Sequence, residues 1–259
     1  LLREADVVLG LGSRFLNAST INWSMIALDT KIIQVETDPL EIGKQYAVEL
    51  GIHADSGVFL DDLCAEVGAT GSAEIDEAHP RVKHVAELIA DQHARYYDTD
   101  LDAVPIKPQR ITKAIEEICD RDAIFVFGSG LHTQFAHGIQ MRAPEQYNYS
   151  IGSGTMAWAL PGAVGAKLAF PDRQVVVCIG DGDFGMNAQE IETSVRENAP
   201  IVVIVYNDCS FGALRVFQKQ HYGGRFIGSH FGQTDHAKLA EAYGARGEKV
   251  ENPADLKSA

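Results

Sequence analysis

The sequence predicts an α/β protein with parallel sheets covered by helices on both faces. Three observations carry this. The chain has 259 residues, 46% hydrophobic and 22% charged, an ordinary globular composition able to bury a core without staples. Short apolar runs rich in branched side chains alternate with segments of helical periodicity. Turns bearing Gly and Asp follow directly on several of these runs, at the sheet edge where ligands bind in open α/β folds.

The elements follow in order. Val7–Leu11 and Lys31–Val35 are short apolar runs and read as buried parallel strands. Gly10-x-Gly12 lacks the third glycine of a dinucleotide fingerprint and reads as a turn. Asp38-Pro39 reads as a helix start, Asp as cap and Pro at the first helical position. A helix is expected over Gly57–Val67, where Phe59, Leu60, Leu63 and Cys64 recur at helical spacing. A small, flexible stretch, Gly68–Ala73, then leads to an amphipathic helix bearing Val82, Val85, Leu88 and Ile89. Polar residues with Pro105 and Pro108 complete an expected linker. The division is therefore 1–68, a 69–107 linker with a helix, and 108–259.

The second unit alternates regularly. Helices are expected over Arg110–Cys119, Ala157–Phe170 with a Pro break, Asn187–Asn198, and from Gly212. Strands are expected at Ala123–Phe127, Val175–Ile179 and Ile201–Tyr206.

Composition excludes several classes. Lys+Arg is 22 and Asp+Glu 36, a net charge of −14, which disfavours nucleic acid and anionic membranes as partners. No eighteen-residue apolar run suggests a membrane helix. Cys64, Cys119, Cys178 and Cys209 show no C-x-x-C pair and read as reduced thiols of a cytoplasmic protein, the first three buried. The termini read as a helix end and a helix beginning, as in a piece of a longer polypeptide.

The chemistry is expected at Gly180-Asp181-Gly182 and, twenty-four residues on, Asn207-Asp208. Both follow buried strands. Glycines around Asp181 permit a tight turn with exposed N–H groups, and the helix from Asn187 would offer its positive end to a diphosphate. Asp181 and Asp208 would supply oxygens to Mg²⁺, which favours one or two carboxylates plus phosphate.

These residues resemble the G-D-G…N-N motif of thiamine-diphosphate-dependent enzymes, most closely the acetolactate (acetohydroxyacid) synthase and benzoylformate decarboxylase group. Gly152–Pro161 resembles that group's G-x-G-x-M-G-x-x-L-P segment, continued by Gly165–Asp172. Gly130-Leu131-His132 resembles its G-Q-H, and Ala5–Leu9 through Val35–Pro39 the late half of its central domain. The resemblance implies a partial Rossmann-like central domain followed by a C-terminally truncated diphosphate-binding domain. It implies that the pyrimidine-binding domain and its catalytic glutamate lie outside this chain, leaving no catalytic residue within it.

Carried over, the resemblance assigns Mg²⁺ to the Asp181 carboxylate, an Asp208 side-chain oxygen and the Ser210 carbonyl. Gly182 and Asp183 would present N–H groups to diphosphate, and His132 would donate to a phosphate oxygen. The Gly154 carbonyl and Met156 N–H would hold the aminopyrimidine edge, with the Met156 side chain beneath the cofactor. FAD, carried by some members, stays open. The implied activity is carboligation of 2-oxo acids in a homo-oligomer, each site completed by another chain's pyrimidine domain. The alternatives are a 2-oxo-acid decarboxylase, suggested by Phe211–Arg215, and a non-catalytic Mg²⁺–diphosphate module.

Four departures stand out: Asp208 for Asn, Gly128-Ser129 where many members carry an acid, Leu131 for Gln, and Phe217 for a substrate-selecting Trp. His137, His221, His230 and His236 lack metal-ligand spacing. Cys209 reads as a passive thiol. Tyr222–Phe226 reads as a mobile turn, either a solvated loop or a lid in which Arg225 faces a substrate carboxylate.

Overall fold

The computed structural model describes residues 2–17, 19–70, 79–150 and 154–259, apart from the side chains of Ala136 and His137. The expectations placed on Leu1, Gly71–Ala73, Gly152, Ser153 and the His137 ring lie outside the described residues. The chain folds as two compact units, Leu1–Leu88 and Ile89–Ala259. The boundary between them falls within the 69–107 stretch.

The first unit holds a parallel sheet of β1 (Val7–Leu11), β2 (Lys31–Glu36) and β3 (Leu50–His53), in that order. The register sets Val7 opposite Lys31 and Ile33 opposite Leu50. β1 is an edge strand, and its Val7 and Leu9 are exposed rather than buried. Phe15, Ile26 and Ile32 form the core, with Tyr46 set edge-on to Phe15 at 5.7 Å. Gly12 takes φ +58 and donates to Val35 at 2.9 Å, as a turn residue.

The helix expected from Asp38 does not form; residues 37–46 run as turns and bends. The cause is Gln34, buried at the base of this segment. Its Nε2 donates to the carbonyls of Ser13 and Glu41, and its Oε1 accepts from Gly43 N–H at 2.9 Å. Backbone groups that a helix would use are thus taken, and Gly43 sits at φ +72. Helix α1 (Ser56–Thr70) follows β3 and buries no residue fully. Cys64 is accordingly exposed, Cys119 half-buried and Cys178 buried. All four thiols are free. Helix α2 spans Pro80–Tyr96.

The second unit begins its regular alternation with α3 (Pro108–Ile118) and β4 (Ile124–Phe127). β5 (Tyr147–Tyr149), α4 (Ala159–Ala169) and β6 (Val175–Gly180) follow. Then come α5 (Asp181–Asn187), α6 (Glu190–Arg196), β7 (Val202–Tyr206), α7 (Gly212–His221) and α8 (His236–Ala242). The sheet is parallel in the order β5-β4-β6-β7. Alternate residues face opposite sides, and both sides are covered. Ile124, Val126, Val175, Val177 and Ile179 pack with Leu160, Phe184 and Ile191. Phe125, Phe127, Val176 and Cys178 pack with Ile115 and Ile139. Burial on both faces explains the unbroken apolar runs, each large side chain contributing roughly 1.5–3 kcal/mol.

Two helix expectations need correction. Pro161 does not break α4; it is the third residue, where no intrahelical N–H acceptor exists to be lost. The helix expected from Asn187 instead starts at Asp181, directly on β6, and ends at Asn187, with α6 following separately.

Candidate functional site

The register sets Phe127 opposite Cys178 and Tyr149, and Gly180 opposite Tyr206. Four strand ends therefore open on one edge. From it run Gly128–Leu131, Asp181–Asp183, Asn207–Ser210 and, after β5, Ser150.

Asp181 opens α5 and is 3% exposed. Its Oδ1 accepts from Gly182 N–H at 2.8 Å and its Oδ2 from Cys209 N–H at 2.6 Å, tying the end of β6 to the loop after β7. Burial pushes the carboxyl pKa up; the Cys209 and Gly182 N–H groups oppose this, and the charge of Asp208 adds to the rise. Asp208 Oδ1 accepts from Ser210 N–H at 3.1 Å. Cys209 takes φ +55 and its carbonyl accepts from Phe231 N–H. Ser210, 4% exposed, bridges His230 in antiparallel fashion. Gly182 lies under Phe211, whose ring would sit 2.5 Å from an added Cβ, so only glycine admits this contact. Its N–H is occupied by Asp181 rather than free for a ligand.

Asp183 has a side chain role that the sequence reading missed. Its carboxylate is 1% exposed and bridges two loops: Oδ2 accepts from Ser129 N–H at 2.6 Å, Oδ1 from Ala157 N–H. Asn187 donates to the Ala157 carbonyl. Ala157 is thereby held at φ +68, a conformation that favours glycine. Gly128 is required beside this bridge, since a Cβ would overlap Asp183 Oδ2 and meet Ile179 at 2.8 Å. Met156 is half-buried in the same turn, and Gly154 takes φ +58.

His132 is 8% exposed, stacked on Tyr206 at 5.2 Å. Its Nε2 lies 3.1 Å from the Cys178 carbonyl, which fixes the proton on Nε2. Burial lowers its pKa to about 4, against weaker upward pulls from the Cys178 and Gly128 carbonyls and Asp208. The ring is neutral at pH 7 and presents Nδ1 as an acceptor. Donation to a phosphate would require the ring to turn.

His236, dismissed on spacing, lies close enough to Asp181 to feel its charge and packs edge-on to Phe184 at 5.3 Å. Burial lowers its pKa, with Asp181 and Asp235 pulling it up. Arg225 does not face the site: it is exposed and donates to the Tyr222 carbonyl at 3.2 Å. Gly223 and Gly224, both at positive φ, form the expected turn. The arginine beside Asp208 is Arg215, which lines a cleft of about 250 Å³ with Leu131, Ser210, Lys219 and Phe226. Among the described residues, no cluster of three or more His, Cys, Asp or Glu could hold a metal, and no helix is long and apolar enough to cross a membrane.

Comparison with known proteins places this edge in context. Residues 128–259 match the family described as thiamine pyrophosphate enzyme, C-terminal TPP binding domain. The chain belongs to the thiamine pyrophosphate enzyme family. Residues 1–63 match the central domain of the same enzymes. The chain is 30% identical to the probable acetolactate synthase large subunit of Methanococcus aeolicus, covering 100% of this chain and 45% of that protein. It is 32% identical to the Methanocaldococcus jannaschii counterpart, over 98% of this chain and 43% of that protein. It is 28% identical to the acetolactate synthase isozyme 3 large subunit of Escherichia coli, over 99% and 45%. The chain spans less than half the length of these relatives. In this thiamine pyrophosphate enzyme chain, the TPP-binding match opens at Gly128, the residue after β4, so every site loop described above falls within it.

Proposed function

We propose that the chain is the central and diphosphate-binding portion of a Mg²⁺-dependent, acetolactate-synthase-like carboligase acting on 2-oxo acids. We divide it into a central-domain portion over 1–68, a linker over 69–107 and a diphosphate-binding portion over 108–259. The observation that carries the reading is the pair Asp181 and Asp208, held at the ends of adjacent parallel strands β6 and β7. Two carboxylates and a backbone carbonyl suit a hard cation whose remaining ligands are phosphate oxygens. Each Asp181 oxygen retains lone-pair capacity after its single N–H bond.

Asp181, Asp208 and the Ser210 carbonyl would hold Mg²⁺. The Asp183 N–H, in the first turn of α5, would face diphosphate, joined by Gly182 where Asp181 releases it. Gly154 and Met156 would orient the aminopyrimidine, and the Asp183–Asn187 bridge would fix their turn. Thiamine diphosphate would supply the nucleophilic carbon and the electron sink for decarboxylation. We place the remaining parts, a pyrimidine domain with its glutamate, on another chain of a cytoplasmic homo-oligomer.

The test uses the full-length protein. Thiamine diphosphate binding is expected to require Mg²⁺ and to weaken strongly in Asp181→Ala. Equal binding with and without chelator removes the metal reading. Product analysis with pyruvate separates the activities. Acetolactate supports the carboligase; acetaldehyde alone supports a decarboxylase, the reading favoured by Phe211–Arg215; no turnover with intact cofactor binding indicates a binding module.

A further inference from the structure

The cleft beside Asp208 contains two buried polar side-chain atoms that the fold leaves without hydrogen-bond partners among the described residues: Nε of Arg215 and Oγ of Ser210. Both residues line the same cleft, with Asp208, Lys219 and Phe226. An unmet buried donor is costly, and a native structure tolerates one where something else supplies the acceptor.

The guanidinium is held in place. Arg215 lies over the Phe226 ring, 5.0 Å from its centroid, a contact that fixes its plane. Lys219 follows one helical turn later on α7 and faces the same cleft. Arginine and lysine are donors only, so this wall offers positive charge and N–H groups with no acceptor of its own. No ion pair joins Asp208 to Arg215 or Lys219 among the described residues, and its Oδ1 is engaged by Ser210 N–H.

We propose that Arg215, Lys219 and the Ser210 hydroxyl form an oxyanion-binding wall. The group it would take is a carboxylate or phosphate, whose paired oxygens suit a guanidinium fork. The two sources are the substrate carboxylate and the cofactor diphosphate. That either is the physiological occupant rests on the function proposed above; the donor geometry does not.

The experiment measures binding to the full-length protein by calorimetry. The probes are oxamate, an unreactive 2-oxo-acid analogue, in the presence of thiamine diphosphate and Mg²⁺, and inorganic diphosphate with Mg²⁺ alone. Arg215→Met is expected to weaken at least one of them ~10–100-fold, the loss typical of a charged hydrogen bond. Arg215→Lys should recover part. Loss confined to oxamate assigns the carboxylate, and loss confined to diphosphate assigns the phosphate. Ser210→Ala removes an unpartnered buried hydroxyl, so its thermal unfolding should match the parent while its anion affinity falls. It carries the test should Arg215→Met not fold. Unchanged affinity for both probes in the Arg215 and Ser210 variants overturns the wall. A parent protein that binds the probes but turns over no 2-oxo acid overturns the function and leaves the wall standing.

Discussion

Replacing Asp183 with Ala should release two loops of the site together. The carboxylate accepts one N–H from Ser129, after β4, and one from Ala157, before α4. A hydrogen bond to a charged acceptor is worth about 1.5–3 kcal/mol, so the two amount to about 3–6 kcal/mol gross. Burial of the carboxylate, which raises its pKa, offsets part of this and leaves about 3 kcal/mol net. At about 1.4 kcal/mol per decade, that is roughly a hundredfold in local opening. The assay is amide hydrogen exchange by mass spectrometry on the full-length protein. Peptides carrying Ser129 and Ala157 should lose about two decades of protection, while β6, buried on both faces, should change little. Asp183→Asn keeps one acceptor and turns an NH₂ toward the other N–H, so one loop should stay protected and the other open. Parent-like protection of both loops in Asp183→Ala would show that Asp183 does not hold them.

Two further outcomes follow from the same geometry. His132 is neutral when folded, with a pKa near 4, against 6.5 for the free ring. Its folded pKa is depressed, so below 6.5 the unfolded chain takes a proton that the folded chain refuses. Stability should be full above pH 6.5 and fall by up to about 3 kcal/mol toward pH 4. Urea midpoints measured across that window should fall less steeply with acid in His132→Asn; parallel slopes would remove the assignment. Ala157→Gly relieves a left-handed residue at φ +68. After the greater chain entropy of glycine is allowed for, the gain should be about 0.5–1 kcal/mol, read as a rise in thermal midpoint. A lower midpoint would mean that the alanine methyl packs favourably.

The sequence alone determined the α/β class, the strands that close the second sheet, and Asp181 and Asp208 as the acids at their ends. These are local properties. An apolar run of strand length declares itself through its neighbours, and a Gly-Asp pair that closes such a run must lie at the sheet edge. β4 and β6 were placed to within a residue or so, because burial on both faces leaves no polar residue to blur them, and the half-buried edge strand β7 was placed as closely by its unbroken branched run. The short strands β3 and β5, each half exposed, carried no such pattern and went unseen. What failed depended on residues distant in the chain. Gln34 cancels the helix after Asp38 by taking the Glu41 carbonyl and the Gly43 N–H, and its bond to Ser13, twenty-one positions away, holds its amide there. Whether Asp183 turns inward to bridge Ser129 and Ala157, and whether Arg215 or Arg225 lines the cleft, is decided by which surfaces pack together. A side chain's type is written in the sequence, but its partner is chosen by the tertiary packing that brings distant backbone groups within hydrogen-bonding reach.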